Sequence, residues 1–125
     1  MLSVKKMLYK ILTCFAIEDI SDKITTASGW TSMHRTAYKI GKMVFFSIEG
    51  FSENAVVGGT QYTIANIASG YRPLKSIPFT GHTTNSNFTP QAVVNGNVWA
   101  GGTITGRASN ANGRYFFISG FYKIA

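Results

Sequence analysis

Two hydrophobic periods divide this chain. Over residues 2–24, Val4, Leu8, Ile11 and Phe15 recur at spacings of four, three and four, the stripe of one helical face. Met7, Cys14 and Ile17 widen that stripe, and Glu18, Asp19 and Asp22 end it in a charged stretch. The spacing fits an amphipathic helix lying on the domain's own sheet. It also fits a helix that bundles with copies of itself through a- and d-like positions. It covers about two heptads, fewer than the ~3–4 of a secure coiled coil. Its place ahead of a Thr-Thr-Ala-Ser-Gly break over 25–29 favours the bundling helix.

From Trp30 onward the period is two. Thr31–Ile40 reads as a first strand, Gly41-Lys42 as a tight turn, and Met43–Glu49 as a second strand with Val44, Phe46 and Ile48 on one face. Gly50–Gly59 reads as a loop, Tyr62–Ile67 as a third strand, and Lys75–Thr80 as a fourth, with Pro78 marking an edge or bulge. Gly81–Pro90 is polar and without period, a loop with a projecting tip. Asn95-Gly96 between two apolar runs predicts a two-residue type I′ hairpin, with Thr103–Thr105 prolonging its second arm. Asn110–Gly113 is a further turn, and the last strand, Arg114–Ile124, points Phe116, Ile118, Tyr122 and Ile124 inward. About seven strands at 8–12-residue spacing predict an all-β domain, as sandwiches and barrels show. The expected division is a helical segment over 1–24, a linker over 25–29 and a β domain over 30–125.

Composition agrees with that class and narrows the chemistry. Charged residues are 14% of the 125, against a usual ~25%, so Thr, Ser, Asn and Gly must supply the polar surface. Residues 1–53 carry seven basic and five acidic side chains (+2). Residues 54–125 carry Arg72, Lys75, Arg107, Arg114 and Lys123 and no carboxylate after Glu53 (+5). That part of the chain offers no carboxylate base, no glycosidase pair and no Asp/Glu shell for calcium. Cys14 has no cysteine to pair with, and with only His34 and His82 beside it there is no four-ligand zinc set.

No apolar run approaches the ~20 residues of a membrane span. The first 17 residues imitate a secretion signal, but Lys10 interrupts the apolar part and no Ala-x-Ala-like site follows. There is no Gly-x-Ser-x-Gly elbow, His-Glu-x-x-His motif or phosphate-binding glycine loop. Cys14 sits in an apolar stripe and reads as an inert packed thiol; Glu49 and Glu53, flanking a turn, read as solvated acids. The chain is expected not to be an enzyme and to need no cofactor or metal. The aromatic last strand resembles an RNA-binding sheet, yet the basic residues are scattered and half the aromatics face inward, so nucleic acid is not the expected partner.

A neutral sugar is held by an aromatic face and by amide, hydroxyl, His or Arg groups on loops of a rigid scaffold. The loop His82–Phe88 has that make-up, and Trp99 faces opposite to Val98. The candidate set is His82, Asn85, Asn87, Phe88, Trp99 and Arg107. Singly, Trp99 reads equally as a core or subunit-contact residue and His82 as an ordinary loop residue; their clustering points to sugar.

The order of segments carries a resemblance. Gly29-Trp30 followed by Ala37-Tyr-Lys-Ile-Gly-Lys-Met-Val-Phe-Phe-Ser-Ile48, then Tyr62-Thr-Ile-Ala-Asn-Ile-Ala-Ser-Gly-Tyr-Arg-Pro73, Val93-Val-Asn-Gly-Asn-Val-Trp99 and Gly120-Phe-Tyr122, resembles the C-terminal receptor-binding head domains of tail fibre and baseplate proteins of tailed bacteriophages and prophages. It spans residues 29–125, with Ala68-Ser69 where that family has Leu-Pro. The resemblance implies a sandwich or jelly-roll-like head that assembles as a homotrimer, after a neck in which Val4, Leu8, Ile11 and Phe15 meet. It implies binding to host cell-surface saccharides, attachment to other tail or baseplate proteins through the N-terminal segment, and a place at the virion's tail tip. The alternatives are a purely structural trimerisation module and a secreted or lipid-anchored bacterial β-domain.

Overall fold

The computed structural model describes residues 3–14, 16–110 and 113–125. It is all-β with one short helix at its start. α1 (Val4–Cys14) is followed by β1 (Ile17–Asp19), a 3-10 turn (Ser21–Lys23) and β2 (Ile24–Thr26). Seven longer strands complete the chain: β3 (Trp30–Ile40), β4 (Met43–Ser52), β5 (Gln61–Ile67), β6 (Ile77–Thr84), β7 (Pro90–Val98), β8 (Thr103–Ala108) and β9 (Tyr115–Lys123).

The helix stops ten residues short of the predicted segment end, and residues 17–26 join the sheet instead. The reason is local. The Asp19 carboxylate accepts hydrogen bonds from the Ser21 hydroxyl (2.6 Å) and the Ser21 amide (2.9 Å), a turn that competes with helix. These bonds, the hydroxyl's first, hold the Asp19 carboxyl below its ordinary pKa. Ser21 Oγ also accepts from the Ala37 amide (3.0 Å), and Ile20 and Ile24 drop into the core. The stretch 25–29 is likewise no free linker, since Thr25 and Thr26 pair with Asn66 and Ala65 of β5.

All strands belong to one antiparallel sheet, ordered β1-β3-β4-β9-β6-β7-β8-β5-β2. The sheet curls until its distant parts meet. Trp30 of β3 packs edge-on against Phe116 of β9 at 4.8 Å and against Tyr62 of β5 at 6.2 Å, and the Ala27 amide donates to the Ile64 carbonyl. Inside lie Val44, Phe46 and Ile48 of β4, Phe116, Ile118 and Tyr122 of β9, and Ile64, Ile67 and Ile104 from the opposite side. The alternation predicted for β4 and β9 therefore holds residue by residue. Among the described residues nine strands replace the expected seven, because β1 and β2 arise from the N-terminal segment.

The segment Gly70–Pro73 locks the end of the barrel-like curl. Gly70 takes φ +90, the buried Tyr122 hydroxyl donates to the Tyr71 carbonyl (2.6 Å), Arg72 Nε donates to the Ile67 carbonyl (3.0 Å), and Pro73 bridges Ile124. Burial raises the Tyr122 phenol to a pKa of about 12.

Three segments expected as turn or loop are strand, wholly or in part. Asn95-Gly96 is not a hairpin: β7 runs through it, with Asn95 between Thr80 and Arg107 and Gly96 between Phe79 and Gly106. Gly96 is glycine for space, because a Cβ there would strike the Thr105 carbonyl and the Phe79 ring. The β7–β8 turn lies at Trp99–Gly102 instead, where the Gly102 amide donates to the Trp99 carbonyl (2.9 Å) and Gly102 takes φ +96. Likewise β4 continues past Glu49 to Ser52, so Glu49 is a strand residue opposite Phe117 and does not flank a turn with Glu53. β6 extends to Thr84, leaving 85–89 as the β6–β7 loop.

Candidate functional site

The period of two places the candidate residues on the outer face of the sheet, in two groups. The first is aromatic. His82 on β6 lies opposite Phe117 on β9, and their rings stack at 5.3 Å with 5° between planes. Phe88 reaches back from the loop to the edge of Phe117 (6.0 Å) and to Tyr115 (6.3 Å), which contacts Phe51 (5.0 Å). Phe88 has φ +59, a conformation rare for a bulky side chain. The loop enforces it. Asn85 Oδ1 accepts from the amides of Asn87 (2.9 Å) and Thr89 (3.0 Å), and the Phe88 amide donates to the Asn85 carbonyl (3.0 Å). Asn85 is thus a folding residue of the loop, while Asn87 and Phe88 are its exposed tip.

The second group is polar. Gln61, Arg107, Asn95 and Thr80 stand in one row, in register across β5, β8, β7 and β6. The next outward row on the same strands is Thr63, Thr105, Asn97 and Pro78. Between them the inward-facing row has Gly106 and Gly96 at its centre. The groove over it measures about 370 Å³. Trp99 follows Asn97 on the same outward face, 37% exposed, with its indole N–H donated to Thr105 Oγ1 (2.7 Å). Thr105 pairs with Asn97, so the indole is anchored one residue from the amides.

The structure therefore gathers His82 and Phe88 on the Phe117 ring, and places Arg107 in the polar groove with Trp99 on the same outer face, anchored to Thr105 in the neighbouring row. Gln61, Thr80, Asn95 and Asn97 were not among the sequence candidates. The signal for the last two was the alternation itself: Ala92, Val94, Gly96 and Val98 point inward, which turns Asn95, Asn97 and Trp99 outward. The Asn-Gly turn rule masked it.

The five basic residues after Glu53 divide by role. Arg72 and Arg114 hold backbone carbonyls, Arg114 those of Ser52 and Glu53 while its guanidinium lies 4.7 Å from the Phe51 ring centre. Lys75, Arg107 and Lys123 are exposed, and Arg107 is the cation of the polar groove.

A larger cleft of about 480 Å³ opens where β6 and β9 part beyond their three paired residues. Phe46, Ile77, Phe79, Val98 and Tyr122 line much of it. It offers apolar shape and few groups that could read a hydroxyl pattern. Chemically the polar groove can donate and accept hydrogen bonds through three amides, the Thr80 hydroxyl and a guanidinium, which is equipment for orienting a polyol.

The neck residues fall differently. Val4 and Leu8 are exposed, 73% and 55%, together with Met7, so this first part of the stripe is not buried on the sheet of its own chain. Phe15 and the side chain of Ile11 lie outside the described residues. No protein-family model matches the chain, and no curated protein matches it.

Proposed function

We propose that the chain is a receptor-binding head of a phage or prophage tail, without enzymatic activity, that binds saccharides of the bacterial cell envelope through the outer face of β5, β8, β7 and β6. The observation that carries this reading is the in-register row Gln61–Arg107–Asn95–Thr80 with Asn97 and the anchored Trp99 beside it. Strand register fixes the backbone beneath these groups, so only their side chains must be ordered on binding. Each neutral hydrogen bond contributes about 0.5–1.5 kcal/mol, which makes a single groove weak. Useful affinity then needs several copies, and the exposed stripe of α1 supports a multivalent, trimeric assembly. His82, Phe88 and Asn87 form a second, aromatic surface and are secondary candidates for the same ligand.

The test is binding of the full chain to an array of bacterial polysaccharides, with Arg107→Ala, Asn97→Ala and Trp99→Ala beside it. A polysaccharide that binds the native chain should lose at least about tenfold in affinity to each variant, with the oligomer intact. An intact oligomer that binds no envelope polysaccharide would favour a structural attachment module of the tail. Dissociation of the oligomer by Trp99→Ala would reassign that residue to packing.

A further inference from the structure

Beyond Ser47 and Ser119 from the aromatic group, the outer face of β1, β3, β4 and β9 carries large apolar side chains that stand exposed among the described residues. Ile17 is 69% exposed, Tyr38 41%, Phe45 45% and Phe121 61%. Register makes them one patch. Ile17 is paired with Ile40, Tyr38 with Phe45 and Phe45 with Phe121, whose rings lie 6.0 Å apart. Ile17, Tyr38, Ile40 and Phe45 surround a shallow hollow of about 330 Å³. Ser47, Ser119 and Lys123 border it on the same strands, a polar rim around an apolar centre.

We infer that this patch is where the sheet meets a second copy of the chain, continuing the stripe of α1 onto the β domain. The inference rests on the multivalent assembly in the reading above and locates its contact. Two observations select a second copy as the occupant. The helix ends at Cys14 and the patch begins at Ile17, so helix and patch lie within about 10 Å along the chain. A helix stripe with a/d-like spacing matches its own copy, and helices that bundle bring the surfaces at their feet together. The area is also adequate. With Val4, Met7 and Leu8 these exposed apolar residues amount to roughly 700 Å², within the range of one partner's share of a standard stable interface.

The experiment measures the mass of the full chain by sedimentation across a concentration series, for the native chain, Phe45→Ser/Phe121→Ser and Val93→Ser. Val93 is 50% exposed on β7, away from the patch, and serves as the control. The native chain and the control should assemble alike, and the double variant should raise the dissociation constant at least about 100-fold while circular dichroism retains the β spectrum. Ile17→Asp, on an edge strand, provides the same readout should the double variant lose its sheet. A patch variant that keeps its sheet yet assembles like the native chain overturns the inference and leaves the saccharide reading standing. A native chain that stays monomeric at every concentration overturns it too, and the polysaccharide array still decides the groove separately.

Discussion

At the scale of residues, side chains that look like binding chemistry divide by what holds them. Arg72, Arg114 and Asn85 satisfy backbone groups and keep segments closed, whereas Arg107, Asn95, Asn97 and Gln61 stand on strands with their polar ends outward. Tyr122 belongs with the first kind and reports on it. Its hydroxyl is buried against the Tyr71 carbonyl and its pKa is raised to about 12, with burial as the cause. In the unfolded chain a phenol ionises near 10. The folded pKa is the higher one, so the stabilisation is fully present below pH ~10 and is lost as pH rises toward about 12, where the unfolded state has already released its proton. Tyr122→Phe should cost about 1–2 kcal/mol at pH 8 by leaving the Tyr71 carbonyl without its donor. The native chain's advantage over that variant in urea unfolding should shrink by on the order of 2 kcal/mol between pH 9 and pH 12. An advantage that stays constant over that range would mean the phenol is not buried as described.

Elements explain why some of this was legible in the sequence and some was not. Where apolar residues alternate without a competing local signal, as in Met43–Glu49 and Arg114–Ile124, sequence and structure agree on which side chains face inward. Two local rules failed against the sheet. The apolar stripe over 2–24 runs on at helical spacing through Ile17, but Asp19 and Ser21 close a turn and the core takes Ile20 and Ile24. Asn95-Gly96 carries turn chemistry, yet flanking strands on both sides absorb it as a ladder segment, and that error hid half of the polar groove. The two readings of β7 predict opposite mutational patterns. In a type I′ turn Asn95 would need φ > 0 and a β-branched residue there would be costly. In a strand, Asn95→Thr should leave stability within about 0.5 kcal/mol, since the side chain points to solvent. Gly96→Ala should instead cost about 1–3 kcal/mol, because the methyl meets the Thr105 carbonyl and the Phe79 ring. Denaturant midpoints of the two variants decide it, and a costly Asn95→Thr with a mild Gly96→Ala would restore the turn.

On the scale of the whole molecule, the distribution of charge bears on which envelope polymer the proposed head would take. The chain has a formal charge of +7, and residues 54–125 contribute +5 with no carboxylate. Two of the five cations there are held on backbone carbonyls, so the field at the groove comes mainly from Arg107, with Lys75 and Lys123 exposed elsewhere. Nothing acidic stands in the groove to repel an anionic ligand or to bind vicinal hydroxyls as a carboxylate would. An envelope polymer bearing phosphate or uronate groups would therefore gain attraction in each copy of an assembly, and several copies would compound it. Screening separates this from recognition by amides and the indole, since the Debye length falls from about 10 Å at 0.1 M salt to about 3 Å at 1 M. Binding of an anionic wall polymer should weaken at least about tenfold over that range, measured by interferometry on the full chain, and Arg107→Gln should flatten the salt dependence. A neutral polysaccharide that binds equally well, with no salt dependence for either polymer, would place recognition on Asn95, Asn97, Gln61 and Trp99 alone and leave the positive charge without a part in it.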